Sequence, residues 1–147
     1  MTITITIASN TTITITSAEP PAKACRFRAT SIWRNGMLDV RFNWTREQVT
    51  NPGTPDSFQI TLSVDGAAAG SISVPVTAAG DSGGYSCLYS AGGGPALNAG
   101  DTVMGVNVPT DSVNNLKGPP STASCTVTNP PVAPAAAVDF TATPLSS

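Results

Sequence analysis

Apolar residues recur at every second position through LDVRFNW, residues 38–44, and again through FQITLSV, residues 58–64. A strand sends successive side chains to opposite faces, so a period of two describes a half-buried β-strand and excludes an amphipathic helix. Leu38, Val40, Phe42 and Trp44 are expected inward in the first segment, with Asp39, Arg41 and Asn43 outward. In the second, Phe58, Ile60, Leu62 and Val64 are expected inward. Turn chemistry brackets both. Asn35-Gly36 tolerates positive φ ahead of the first, NPGTPD (51–56) separates the two, and Asp65-Gly66 closes the second.

Five further segments have the same character. ACRFRAT (24–30) puts Cys25, Phe27 and Ala29 on one face and Arg26 and Arg28 on the other, and Trp33 then falls in a connection. SISVPV (71–76) carries Pro75, which lacks a backbone donor and so belongs at a sheet edge. Beyond a glycine-rich loop come YSCLY (85–89), VMGVNV (103–108) and TASCTVT (122–128). Seven short strands separated by Gly and Pro turns imply an all-β sandwich. The chain of 147 residues suits one such domain, and its 11% charged residues leave little from which to build helices.

Both ends have a different texture. Residues 2–16 read TITITIASNTTITIT, and Glu19-Pro20-Pro21 closes them. The segment has no basic region, continuous apolar run or small-residue cleavage site, so a secretory signal is not expected, and its apolar runs fall far short of the roughly 20 residues that span a bilayer. Ile3, Ile5, Ile7, Ile13 and Ile15 line one face if the segment is a single strand, and form a ribbon if Ala8-Ser9-Asn10 turns. Either form suits addition to a neighbouring sheet. The blander outcome is an extra hairpin folded onto its own sandwich. After Asn129-Pro130-Pro131 the chain is proline- and alanine-rich, with Val138 and Phe140 as its larger apolar residues. The expected organisation is a β-arm (1–21), a sandwich (22–129) and an extended arm (130–147).

Chemistry is sparse. The chain has no histidine, no CxxC spacing among Cys25, Cys87 and Cys125, and no paired carboxylates or G-x-S-x-G, so neither an enzyme, a metal site nor a cofactor is expected. The glycines of DSGGYS and SAGGGP are followed by no P-loop lysine, and no helix is expected to open there. Reduced, half-buried thiols are the default for the cysteines, with one disulfide left open. The sequons at Asn10 and Asn43 carry no weight without secretion.

Charge is uneven. Lys23, Arg26, Arg28, Arg34, Arg41 and Arg46 face a single acid, Asp39, within residues 23–46, whereas residues 57–147 carry Lys117 against five aspartates. These arginines are either the outward positions of two strands or a docking face for an acidic partner. Nucleic acid is not the expected partner, because alternation sends Phe27 away from the arginines and the net charge is −2.

Residues 97–128, LNAGDTVMGVNVPTDSVNNLKGPPSTASCTVT, resemble the last two strands of a fibronectin type III domain. They offer a leucine, a Gly-Asp-Thr turn, an alternating strand, a Gly-Pro loop and a Ser/Thr-rich strand. Trp44 stands where that family keeps its core tryptophan, while Val103 and Met104 replace its usual tyrosine. The resemblance covers about residues 22–128 and implies an immunoglobulin-like sandwich. Small domains of this kind with extended arms resemble virion accessory proteins of tailed bacteriophages. The resemblance implies a decoration or cement protein, made in the host cytoplasm, that clamps major capsid protein or other virion subunits and forms a homo-oligomer. Ile3, Ile5, Ile7, Ile13, Ile15, Arg26, Arg28, Arg41, Val138 and Phe140 would make the contacts. The alternatives are a tail-tube, fibre or baseplate component, and a host-surface or carbohydrate-binding module using Trp33, Tyr85 and Tyr89.

Overall fold

The computed structural model describes residues 2–7, 9, 11–47 and 53–132. Two antiparallel strands, β1 (Thr2–Ile7) and β2 (Thr11–Thr16), form a ribbon ahead of the sandwich. The sandwich follows with β3 (Ala24–Arg34), β4 (Met37–Arg46), β5 (Ser57–Val64), β6 (Ala67–Pro75), a short helix α1 (Ala78–Gly83), β7 (Tyr85–Leu88), β8 (Thr102–Asp111), β9 (Leu116–Lys117) and β10 (Ser121–Thr126). One sheet has the order β3-β4-β7, and the other has the order β10-β8-β5-β6 with β9 paired to β8. Every pair between these strands is antiparallel. The chain changes sheets between β4 and β5, between β6 and β7, and between β7 and β8.

Turns set the registers. Asn35 (φ 51°) and Gly36 (φ 79°) occupy the left-handed region, as do Asp65 (φ 48°) and Gly66 (φ 83°). Two successive positive-φ residues match the twist of the strands they join. The expected edge position of β6, with Pro75 at its end, is the observed one.

The inward faces meet in an aromatic junction. Trp44 on β4 is buried, stacks on Tyr85 of β7 with ring centroids 5.9 Å apart, and meets Phe58 of the opposite sheet edge-on at 5.4 Å. Phe27 lies edge-on to Trp44 at 5.9 Å and stacks on Phe42 at 5.5 Å. Val40, Ile60, Leu62, Val103 and Val127 fill the remaining core. The strand 102–111 turns inward Val103, Gly105, Asn107 and Pro109, so Val106 and Val108 are only half-buried. Gly105 is required by packing, because a Cβ there would meet the Phe42 ring at 2.6 Å.

Three local expectations differ. A helix occupies residues 78–83, where a glycine-rich loop is expected, because Thr77 caps it by accepting from the Gly80 N–H (3.1 Å), Asp81 sits in its first turn, and Gly84 (φ 87°) ends it. Asp81 then accepts from Arg46 (2.6 Å) and from the Tyr85 hydroxyl (2.5 Å), which ties the helix to β4 and β7. Trp33 belongs to β3 rather than to a connection, since the strand runs on to Arg34. Asp39 is outward by alternation yet buried, because Ser90 covers its carboxylate.

Cys25, Cys87 and Cys125 are free and half-buried. Burial pushes the Cys87 thiol from 9.0 up to about 11.

Gly105→Ala is expected to cost about 1–3 kcal/mol through overpacking, read from the midpoint of urea unfolding. Cys87 yields a pH dependence. Between pH 9 and about 11 the folded chain keeps a proton that the unfolded chain has lost, so stability falls as pH rises through that window. Urea midpoints at pH 9, 10 and 11 are expected to decline more steeply for the natural chain than for Cys87→Ala.

Candidate functional site

Strict Thr/Ile alternation dictates how the first two strands pair. The register sets Thr2, Thr4 and Thr6 opposite Thr16, Thr14 and Thr12, and sets Ile3 and Ile5 opposite Ile15 and Ile13. Ile7 lies opposite Thr11, which breaks the pattern next to the turn around Ser9 (φ 105°). Of the two forms open to this segment, the structure has the ribbon. Ile3, Ile5 and Ile13 remain 43–47% exposed. Among the described residues, no strand of the sandwich pairs with it. A two-stranded ribbon is at best marginally stable in water, and its outer edges offer unpaired backbone donors and acceptors.

The basic residues gather on the outer face of β3 and β4. Arg28 lies opposite Asn43 and Arg41 opposite Thr30, so the two arginines are diagonal neighbours on one face. Arg26 stands in a β-bulge between Cys25 and Arg28 with φ 54°, which re-aims its side chain out of the regular alternation. All three are exposed and make no ion pair among the described residues, whereas Arg46 is engaged by Asp81. The outer face of the opposite sheet is uncharged along β5, β6, β8 and β10, with Gln59, Thr61, Ser73, Met104, Thr122 and Ser124. The sandwich therefore has one cationic and one neutral broad face.

A third feature went unread in the sequence. At one end of the sandwich, the β3–β4 turn and residues 89–97 enclose an open groove of about 470 Å³. Trp33, Met37 and Leu38 form one wall, and Tyr89, Pro95 and Leu97 the other. Trp33 is 51% exposed and Met37 63% exposed. Asp39 holds the walls together. Its carboxylate accepts from the Val40 N–H (2.8 Å), the Ser90 N–H (3.1 Å) and the Ser90 hydroxyl (2.6 Å), which explains its burial. Tyr89 is buried and donates to the Pro95 carbonyl (2.9 Å), and Gly94 is needed because a Cβ there would meet the Tyr89 hydroxyl at 2.3 Å. The available signal was the alternation of Phe27, Ala29 and Ser31, which continues to Trp33 beyond the apparent end of the strand.

The two ends of β3 carry different features. Pro21 bridges to Gly53 near the start of β3, while the β3–β4 turn, residues 93–101 and the end of β10 share the other end. The 11 residues of β3 set these two ends roughly 35 Å apart. Of the residues expected to bind partners, Val138 and Phe140 lie outside the described residues. The structure collects the isoleucines in the ribbon and the arginines on one face, and it does not merge the two. Of the three aromatics considered for glycans, Tyr85 and Tyr89 are buried and Trp33 is exposed. None of the protein families, curated proteins or solved structures compared with the chain matches it.

Asp39→Ala is expected to cost on the order of 2 kcal/mol, since a charged acceptor serving three donors is removed. Amide exchange within residues 89–97 should accelerate, while exchange in β5 and β8 should follow only the global stability.

Proposed function

We propose that the chain is an immunoglobulin-like, fibronectin type III-like structural protein of a tailed-bacteriophage virion, acting as a decoration or cement subunit on the head. The observation that carries the reading is the Ile-bearing ribbon, which no strand of its own sandwich pairs with among the described residues. Such an edge gains backbone hydrogen bonds and buries apolar side chains only by joining another molecule.

The strand order supports the subfamily assignment. Counting the seven strands of the sandwich proper from β3 and leaving out the two-residue β9, one sheet reads first-second-fifth and the other fourth-third-sixth-seventh, with the buried tryptophan on the second strand. That order agrees with an immunoglobulin-like Greek key whose fourth strand has moved beside the third.

The mechanism is mechanical rather than catalytic. The ribbon adds to a sheet of a neighbouring capsid subunit or a second copy, and the sandwich remains a rigid body beside the junction. Arg26, Arg28 and Arg41 orient the body on an acidic surface, where long-range attraction speeds and steers docking more than it tightens it. A tail-tube, fibre or baseplate subunit would use the same ribbon but assemble into rings or trimers without a head. Trp33 leaves a glycan-binding module as the other alternative.

The test is co-sedimentation of the purified chain with expanded phage heads stripped of accessory proteins, beside a variant carrying Ile5→Lys and Ile13→Lys. Burying two isoleucines is worth about 3 kcal/mol or more, so the variant should bind at least about a hundredfold more weakly while its sandwich unfolds at the same urea midpoint. Equal binding by both chains would remove the ribbon from the mechanism. Rings or trimers formed without heads would favour the tail alternative.

A further inference from the structure

The chain contains eight aromatic residues. Phe27, Phe42, Trp44, Phe58 and Tyr85 make the junction between the sheets, and Trp33 and Tyr89 line the groove at the far end. The eighth is Phe140, within the proline- and alanine-rich sequence APAAAVDFTATPLSS of residues 133–147. We propose that the groove at Trp33 is the seat of this C-terminal segment of the same molecule, with Phe140 as its anchor. The inference goes beyond the proposed function and does not rest on it.

The course of the chain delivers the segment to the groove. Strand β10 runs alongside β3, with the Ser121 hydroxyl donating to the Ala24 carbonyl (2.7 Å). Seven residues later the Thr128 N–H donates to the Ser31 hydroxyl (3.0 Å) at the same sequence offset of 97. Carried two residues further, that offset brings Pro130 level with Trp33. Pro130 is half-buried, whereas Pro131 is exposed and Val132 is 91% exposed. The described chain thus ends about level with Trp33, which lines the groove, and 15 residues follow. Phe140 is eight residues past Val132, a reach of up to about 28 Å when extended.

Chemistry favours the same occupant. Alanine and proline lose almost no side-chain entropy on burial, and proline-rich segments dock on aromatic-lined grooves because their extended form is already populated. A short tether raises the local concentration of the segment to the millimolar range, so a weak contact suffices. Charge is complementary too. Asp139 precedes Phe140, and Arg34, which follows Trp33 on β3, is exposed without an ion pair among the described residues. Docking would cover Trp33 and Met37, which otherwise present large apolar surface to water.

Methionine provides the readout, because Met37 lines the groove while Met104 lies on the outer face of the opposite sheet. The experiment compares the full chain, methyl-labelled at methionine, with its Phe140→Ser variant by NMR, following the Met37 and Met104 methyl signals and the Trp33 indole N–H. The substitution is expected to displace the Met37 and Trp33 signals, to leave Met104 in place, and to do so equally across a hundredfold dilution series. Unmoved Met37 and Trp33 signals would overturn the proposal. A displacement that disappears on dilution of the natural chain would overturn it in favour of a second copy as the occupant. Equal displacement of Met104 would overturn it as well, by reporting a general rearrangement.

Discussion

The contact between Trp44 and Phe58 joins the two sheets at the centre of the molecule, and the rest of the architecture is arranged to permit it. Phe27, Phe42 and Tyr85 close around the indole from its own sheet, while Gly105 gives way beneath Phe42 on the other. The helix at 78–83 exists in the same context. It places Asp81 where the Tyr85 hydroxyl and Arg46 converge, so the ring that stacks on Trp44 is held at its far end by a charge-assisted pair. A core concentrated in a few large rings lets a chain so poor in charge and so rich in threonine, serine and glycine hold together.

Among the described residues the buried core lies within residues 24–127 and includes no residue of the ribbon. Strands β1 and β2 keep Ile3, Ile5 and Ile13 exposed, in a segment separated from the sandwich by a proline pair. An exposed apolar ribbon is a liability in a free protein and an asset in an assembling one, since the same unpaired edge that invites aggregation supplies register and hydrogen bonds to a partner sheet. The arginine face lies on the body, and the groove is lined by neither these arginines nor the ribbon. Three surfaces of different chemistry can therefore be engaged without competing for the same atoms.

Much of the sandwich was legible in the sequence because period-two alternation is a local property. Residues 38–44 and 58–64 carry it without interruption, and Asn35-Gly36 and Asp65-Gly66 mark their turns through backbone sterics alone. Where tertiary contacts decide, the pattern fell silent. The strand 102–111 has valines of both parities, and only the Phe42 ring across the sandwich determines that Gly105 and Asn107 face inward. Asp39 is outward by alternation, yet it is buried by Ser90, 51 residues away. The groove was hidden for the same reason, since its two walls meet only once the strands are packed. The isoleucines and arginines were legible as groups, because alternation and clustering sort them before any contact forms.

The central claim is that the ribbon finds its missing strand in another molecule, and amide hydrogen exchange of residues 2–7 and 11–16 tests it most directly. In the dilute, isolated chain these amides should exchange far faster than those of β5 and β8. In the head-bound state they should become protected while β5 and β8 stay unchanged. Ribbon amides already as slow as those of β5 and β8 in the dilute chain would contradict the account, because they would place the ribbon on its own sandwich.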